Sequence, residues 1–361
     1  MKKVISPSRF VILALIFSAA TIAPSLFADG GANHQVPNSN FGVSGGNIKD
    51  ISRAFCCSGT LGSLVKDANN SLYILSNNHV LARSDQAAPG EDISQPGRID
   101  TGCTLPPIVA GFTKAPALSS NVDAAIAKLR AGAMNTAGNI EDIGIPSSDV
   151  KTPTVGLAVA KSGRTTGLTN GTVGSINTSV SVQYQKSCGS GKKFVVSYTN
   201  QVVINSSTFS TGGDSGSLIV TNDSCHQPVA LLFAGSSTTT IGNPIGEVLS
   251  KVSTALGSTV SFVGGNCPGS PQGQIAIDSL QAAEPSSESV DRAMKAMRAW
   301  ENDLMSRPGI IGVGVGASDT SSTDAALVVY VDVYSPISAN VPRRINGVRV
   351  RKVYTEPFVA Y

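Results

Sequence analysis

The sequence predicts a mainly β protein with two successive groups of short strands and a small α+β unit at its C-terminal end. The chain has 361 residues, of which 37 are Gly, and aromatic residues make up only 5% of it. Short apolar runs rich in β-branched residues alternate with Gly-, Asn- and Ser-containing turns, a pattern typical of β-barrels or sandwiches. The length allows two or three domains.

The first strand group follows Cys57 and ends at the Pro- and Gly-containing stretch 144–153. The turn 67–70 has good hairpin chemistry between two apolar runs. The Ala-rich stretch 123–130 allows a helix as well as a strand. The strands predicted for this group are Thr60–Val65, Ser71–Leu75, Ile108–Thr113 and Val122–Leu129.

The second group repeats this organisation with turns at short intervals, so a second barrel or sandwich is expected. Its predicted strands are Val155–Ala160, Gly171–Ile176, Phe194–Tyr198, Gln201–Ile204, Ser217–Val220, Val229–Phe233 and Thr259–Val263. We place both groups in one domain, residues 29–267.

The stretch 268–286 is rich in Pro, Ser, Gly, Gln and Ala and is predicted to be a linker. Apolar residues then follow helical spacing from Val290 to Leu304, until Pro308-Gly309 ends the helix. Three strands are predicted after it, at 310–315, 326–333 and 348–353. Residues 287–361 therefore form the predicted α+β unit.

Residues 1–28 have the pattern of a secretory signal peptide, with Lys2, Lys3 and Arg9 before an apolar run and Ala28 before polar sequence. The run is about 14 residues long, whereas a membrane span needs about 20, although a retained anchor is the alternative interpretation. We expect a secreted protein, periplasmic or extracellular, that has no membrane contact after signal removal. The net charge of +3 is spread along the chain and does not indicate nucleic-acid binding.

Six Cys follow the signal, and an even number in an exported chain indicates disulfides. We expect either Cys56 or Cys57 to pair with Cys103, and Cys188 to pair with Cys225. The chain has no CxxC pair and only three His, so neither a zinc site nor a cofactor is expected.

The segment Thr211–Val220 contains Gly-Asp-Ser-Gly just before an apolar strand. Such a turn can expose the hydroxyl of Ser215 as a nucleophile if a base takes its proton. Glycines beside a nucleophile let backbone amides approach a developing oxyanion, and the amides of Gly213 and Ser215 are the candidates.

His79 is the candidate base because, unlike His34 and His226, it follows an apolar strand. Asp123 is the candidate orienting acid, since a carboxylate among apolar neighbours needs a partner and a histidine N–H is a suitable one. Its rivals Asp85, Asp92 and Asp100 lie in polar, loop-like sequence and are expected to be surface groups.

With its His, Asp, Ser order and Gly-Asp-Ser-Gly motif, the chain resembles the trypsin/chymotrypsin-like serine peptidases over roughly residues 45–265. The stretch 161–171 is similar to one in bacterial and plant members and is interpreted as a turn that opens the second barrel. The resemblance implies two six-stranded antiparallel β-barrels and a peptidase that acts on proteins or peptides. It also implies a triad of His79, Asp123 and Ser215, with oxyanion donors at Gly213 and Ser215.

The resemblance further implies a substrate-binding role for Phe209, at the base of the primary specificity pocket, and for Phe233, Ala234, Gly235 and Ser236 along the substrate backbone. Because Phe209 is not an acid, a preference for Lys or Arg is not expected, and a small or apolar P1 residue is. Val80 stands where many members have a Cys after the catalytic His, so their His-loop disulfide is either absent here or rebuilt through other Cys. No Ile-Val-Gly-Gly-like start is visible, which speaks against activation through a new N-terminus that pairs with Asp214.

The sequence also bears on other functions, for the whole chain and for its C-terminal unit. An α/β-hydrolase needs Gly-x-Ser-x-Gly with its His last, but Ser217 replaces the second Gly and His226 follows Ser215 too closely. A catalytically silent or autoinhibited peptidase-fold binding module is the alternative. For the C-terminal unit, one hypothesis is an intramolecular inhibitor or folding assistant whose extended stretch 355–361 contacts the peptidase cleft. The other is a surface-attachment or substrate-binding module.

Overall fold

The structure is a computed structural model that describes residues 32–267, 284–321, 323–335 and 341–361. The predicted signal peptide and most of the predicted linker lie outside these residues. Within the described ranges, no helix is both long enough and apolar enough to span a membrane.

The first strand group forms an antiparallel sheet that curves into a barrel. Strand β2 (Gly59–Leu61) is the last strand at one end of the sheet and β3 (Ser63–Lys66) is the second from the other end, yet only Gly62 separates them, so the sheet returns on itself there. Its order is β14-β3-β4-β7-β6-β5-β1-β2. These strands are β1 (Val43–Asn47), β2 (Gly59–Leu61), β3 (Ser63–Lys66), β4 (Leu72–Ser76), β5 (Asp92–Ser94), β6 (Ile108–Lys114), β7 (Ala125–Leu129) and β14 (Ser261–Phe262).

The second group forms a closed six-stranded antiparallel barrel, because β9 pairs with β10 as well as with β8. Around the barrel the order is β8-β9-β10-β13-β12-β11. Its strands are β8 (Ala158–Gly163), β9 (Gly167–Ser187), β10 (Ser190–Asn205), β11 (Leu218–Thr221), β12 (Pro228–Gly235) and β13 (Thr239–Pro244). The prediction of a mainly β fold built from two antiparallel barrel-like sheets is confirmed. Six strands were predicted for each barrel; the second barrel has six, whereas the sheet of the first group has eight, among them the two-residue strand β14.

The described helices are few, and they either cover an apolar surface or directly follow a strand. α2 buries Ile245, Val248 and Val252 against the core of the first barrel. The described helices are α1 (Asn78–Leu81), α2 (Ile245–Leu256) and α3 (Ser287–Ser306), with short 3₁₀ helices at Ala32–His34, Arg98–Thr101 and Leu118–Ser120. The stretch 123–130, for which helix and strand were both open, contains strand β7.

The C-terminal segment adds α3 and five strands, and its sheet continues that of the second barrel. The first of these strands pairs antiparallel with β9, with Gly312 opposite Val180. α3 begins at Ser286, whose side chain accepts a hydrogen bond from the Ser289 amide at 3.2 Å, and packs on these strands. The strands are β15 (Ile310–Ala317), β16 (Ala325–Asp332), β17 (Arg344–Ile345), β18 (Val348–Thr355) and β19 (Phe358–Ala360).

Three disulfides join the six Cys: Cys56–Cys103, Cys57–Cys188 and Cys225–Cys267. The pairing of Cys103 agrees with the prediction, but the predicted Cys188–Cys225 pair is wrong. The prediction assumed bridges within each half of the chain. Instead, the β9–β10 hairpin carries Cys188 back to the first barrel, where it meets Cys57.

Candidate active site

The structure brings His79 and Asp123 together between the barrels. His79 lies on α1, directly after β4, and Asp123 lies just before β7, which pairs with β4. The His79 Nδ1–H donates to Asp123 Oδ2 at 2.6 Å, and the His79 backbone amide donates to Oδ1 at 3.1 Å. One oxygen of the buried carboxylate therefore orients the imidazole, and the other holds the backbone of His79.

Three further groups hold Asp123 in place, and none was predicted. The Tyr184 hydroxyl donates to Asp123 Oδ2 at 2.8 Å. The Asp123 amide donates to Asn243 Oδ1 at 2.9 Å, and Asn77 Nδ2 donates to the Asp123 carbonyl at 2.7 Å. The hydroxyls of Tyr184 and Tyr198 lie 2.7 Å apart. The carboxylate thus accepts three hydrogen bonds, two from His79 and one from Tyr184, which compensate this buried group for the loss of water.

The surroundings of His79 favour its protonated form. Burial by itself lowers the pKa of His79, but the charge and hydrogen bond of Asp123, the main-chain oxygen of Tyr361 and the charge of Asp50 outweigh it, so the pKa is raised. Burial also disfavours the charged form of Asp50 and raises the pKa of this carboxyl to about 6, although the charges of His79 and Arg83 act in the opposite direction. These two carboxylates flank the ring that would take the proton of Ser215.

Ser215 lies in the loop between β10 and β11 and is fully buried. Its Oγ donates to the carbonyl oxygen of Phe233 at 3.1 Å. The Nε2 of His79 faces the main-chain oxygen of Tyr361 instead, at 3.0 Å. A rotation of the Ser215 hydroxyl and the departure of Tyr361 are thus needed before Ser215 can donate to His79.

Asp214 holds the loop that carries Ser215 in place. The Asp214 carboxylate accepts hydrogen bonds from the amides of Thr165, Thr166 and Thr211 at 2.8 to 3.1 Å. Lys161 Nζ lies 3.7 Å from Asp214 Oδ2, and both side chains are fully buried. The stretch 161–171, predicted to be a turn, thus also supplies the cation and the donors that hold Asp214.

The ionisation of Lys161 depends on that pairing. Burial lowers the pKa of Lys161 to about 8, although the charge of Asp214 acts in the opposite direction. The ammonium group also donates to the carbonyl of Gly167 at 2.9 Å and to the Thr166 hydroxyl. At neutral pH, Lys161 therefore neutralises the carboxylate beside the nucleophile loop.

Gly213 and Ser215 carry the amides predicted to form an oxyanion hole. Gly213 has a φ of +96°, and a Cβ there would lie 2.4 Å from the Thr165 hydroxyl, so only glycine fits. Its carbonyl oxygen accepts from the Thr60 hydroxyl at 2.9 Å. Among the described residues, neither amide finds a hydrogen-bond acceptor. Both residues are buried.

At β12, where the sequence predicts substrate binding, a segment of the chain itself pairs with the strand. Residues 358–361, here called the tail segment, contain β19, which pairs antiparallel with β12 so that Ala360 lies opposite Ala234 and Val359 opposite Gly235. Phe209 is buried in the second-barrel core, against which Tyr361 packs. The Tyr361 amide donates to the Phe233 carbonyl at 3.5 Å, and its hydroxyl donates to the Ser236 carbonyl at 2.8 Å.

The rival carboxylates lie elsewhere and are paired. Asp85 accepts from Asn78 Nδ2 at 2.6 Å and so supports α1 from outside the site. Asp92 forms an ion pair with Arg130 at 2.6 Å. The expectation that Asp100 is a surface group is wrong, because its side chain is only 6% exposed and forms an ion pair with Arg164 at 2.5 Å. Across the described ranges, no group of three or more His, Cys, Asp or Glu side chains could hold a metal ion.

Comparison with solved structures gives matches to several serine proteases. A glutamic acid-specific serine protease that uses a histidine triad in substrate binding matches with a TM-score of 0.42 and 22% identity, over 62% of this chain and 98% of that one. Thermobifida fusca Protease A matches with a TM-score of 0.42 and 17% identity, over 63% and 100%. Cellulomonas bogoriensis chymotrypsin matches with a TM-score of 0.39 and 18% identity, over 59% and 94%.

The chain is similar to bacterial serine proteases of the trypsin/chymotrypsin type. At these identities the likeness concerns the fold alone and assigns no role to any residue of this chain. No protein-family model matches the sequence, and a search of curated proteins found no match.

Proposed function

We propose that the protein is an exported serine endopeptidase that cleaves by acyl transfer and is kept latent by its own tail segment. The observation that carries the proposal is the position of Tyr361. Its amide reaches the Phe233 carbonyl, which Ser215 Oγ also contacts, and its main-chain oxygen reaches Nε2 of His79. One residue thus touches the surroundings of both the candidate nucleophile and the candidate base.

In the open enzyme, Ser215 attacks the carbonyl of a peptide bound in place of the tail segment while His79 takes its proton. Asp123 holds the ring and stabilises the imidazolium. The amides of Gly213 and Ser215 donate to the oxyanion. His79 then protonates the leaving amine and activates the water that releases the acyl group.

Export is part of the proposal. All six Cys are paired in disulfides. Disulfides persist in oxidising compartments such as the periplasm and the extracellular space. Together with the signal-like residues 1–28, the pairing supports a secreted enzyme.

A second candidate function has its own observation. Ser215 is fully buried and donates to Phe233 rather than to His79. If this arrangement persists after the tail segment leaves, the protein is a catalytically silent binding module with a peptidase fold.

The test measures cleavage of an unfolded protein, casein, by the full chain carrying Tyr361→Ala, which weakens the occupant of the cleft. We expect cleavage that Ser215→Ala and His79→Ala each reduce by a factor on the order of a thousand. The matched controls are Ser119→Ala, at an exposed serine, and His226→Asn, at a histidine with positive φ that Asn tolerates. Equal cleavage by the Ser215→Ala chain would refute the proposal, and a lack of cleavage would favour the binding module.

A further inference from the structure

We infer that this peptidase selects an extended peptide with tyrosine at P1, on the acyl side of the cleaved bond, and an aromatic residue three positions earlier at P4. The inference rests on the proposed function and deepens it. The tail segment, Phe-Val-Ala-Tyr, carries this pattern and occupies the positions that such a peptide would take.

The backbone of the tail segment is held on both edges. β19 pairs antiparallel with β12 and, on its other side, parallel with β9, where Phe358 lies opposite Val182. A peptide added to a sheet in this way gains main-chain hydrogen bonds whatever its side chains are. Sequence selectivity must therefore come from the side-chain sites at 361 and 358.

The site of the Tyr361 side chain has space for a ring and an acceptor for its hydroxyl. A Cβ on Gly235 would lie 2.2 Å from the Tyr361 hydroxyl oxygen, so glycine at 235 makes room for the ring. The hydroxyl donates to the Ser236 carbonyl at 2.8 Å. Burial raises the pKa of Tyr361 to about 12, so the hydroxyl remains a donor at physiological pH.

The chemistry of this site favours tyrosine over the other side chains. A phenylalanine would leave the Ser236 carbonyl without this donor, and sites built for a hydroxyl reject the analogue that lacks it. Alanine or leucine would leave part of the space unfilled. Because the side chain meets the neutral Ser236 carbonyl and the negative charges of Asp214 and Glu356 act on it, a glutamate would lose hydration without gaining an opposite charge. The small or apolar P1 residue expected from the sequence is thus replaced by tyrosine.

The site of Phe358 is apolar and is built partly by the C-terminal unit. Phe358 is 1% exposed, and its ring meets that of Tyr330 edge to face with centroids 5.8 Å apart. Val180 and Val182 of β9 belong to the same cluster. Tyr330 lies on β16 and its hydroxyl is 2.8 Å from that of Ser175, so this wall does not depend on the tail segment. Aromatic pairs of this kind add about 0.5–1.5 kcal/mol beyond burial.

The test uses the full chain with Phe358→Ala and Tyr361→Ala, which removes both anchors, and peptides Phe-Val-Ala-X with a fluorogenic leaving group. For X we choose Tyr, Phe, Leu, Ala, Glu and Lys. We expect kcat/KM for Tyr to exceed that for Leu or Ala by about tenfold and that for Phe by several-fold. Ala in place of the first Phe raises KM several-fold, and Gly235→Val reverses the order of Tyr and Ala.

Fluorophosphonate labelling of Ser215 and binding of the uncleaved peptides are measured in parallel. Labelling together with a flat or Lys-preferring profile would overturn the inference and leave the proposed function standing. Without labelling or cleavage the proposed function fails, and tighter binding of the Tyr peptide than of the Lys peptide would still support the selectivity of the site, while equal binding would refute it. If the double variant does not fold, Tyr361→Ala alone carries the same comparison.

Discussion

At the scale of single residues, the contact between His79 and Tyr361 depends on a proton. The Nδ1–H of His79 donates to Asp123, so a neutral ring would present a lone pair at Nε2 to the Tyr361 oxygen. Only the imidazolium donates at both nitrogens. The charges of Asp123 and Asp50 favour protonation of the ring. The Tyr184 hydroxyl contacts the carboxylate of Asp123.

The closed arrangement should therefore weaken as pH rises. The tail segment raises the pKa of His79, so its closure is favoured while the ring is protonated and is lost as pH rises through that pKa. We expect the ratio of labelling rates, Tyr361→Ala over parent, to be largest at acidic pH and to fall toward 1 at alkaline pH, above the raised pKa of His79. The measurement is fluorophosphonate labelling across this range, and a ratio that is constant with pH would contradict the contact described here.

The catalytic candidates could be predicted from the sequence because each has a local signature, although their roles stay predictions. Ser215 stands in a Gly-Asp-Ser-Gly turn and His79 follows an apolar strand. The groups that hold Asp123 carry no such signature. Tyr184 and Asn243 come from distant strands, and only the pairing of those strands brings them to the carboxylate.

At the scale of elements, the 161–171 turn and the nucleophile loop are joined by a buried ion pair. Lys161→Met removes the cation and leaves Asp214 buried without it, a change that typically costs about 3–5 kcal/mol. We expect the free energy of unfolding to drop by this amount in urea denaturation, and labelling of Ser215 to slow. The control is Lys128→Met, at an exposed lysine of β7, and an equal effect there would contradict this role of Lys161.

Strands with alternating or continuous apolar runs were predictable, since the predicted runs overlap observed strands, although two of them lie in the single long strand β10. The choice between helix and strand at 123–130 was not, because alanine suits both. Here pairing with β4 and β6 favours the strand. Likewise the pairing partner of Cys188 depends on the length of the β9–β10 hairpin, which carries it to Cys57.

At the scale of the whole molecule, one covalent link joins the two barrels beside the site. The Cys57–Cys188 disulfide connects positions 131 residues apart, and both Cys line the cavity next to His79. Cys57→Ser with Cys188→Ser should lower stability by about 2–5 kcal/mol, since the bridge restricts the unfolded chain. Thermal unfolding measures this, with the matched Cys56→Ser and Cys103→Ser chain for comparison.

The shorter loop of 47 residues closed by Cys56–Cys103 should contribute less. A larger loss of stability from removing Cys56–Cys103 than from removing Cys57–Cys188 would contradict this order of the two disulfides. The continuation of the second barrel into β15 and β16 was likewise not predictable, because it depends on contacts between residues far apart in sequence. The predicted division at 268–286 remains a prediction.

The central claim, a latent serine nucleophile under the tail segment, is tested most directly by labelling the full chain with a fluorophosphonate and locating the adduct by mass spectrometry. We expect the adduct on Ser215, formed about tenfold faster or more in Tyr361→Ala than in the parent and at the parent rate in Tyr354→Ala, at an exposed tyrosine of β18. Ser215→Ala should abolish it. An adduct on another serine, or no adduct in any chain, would contradict the claim.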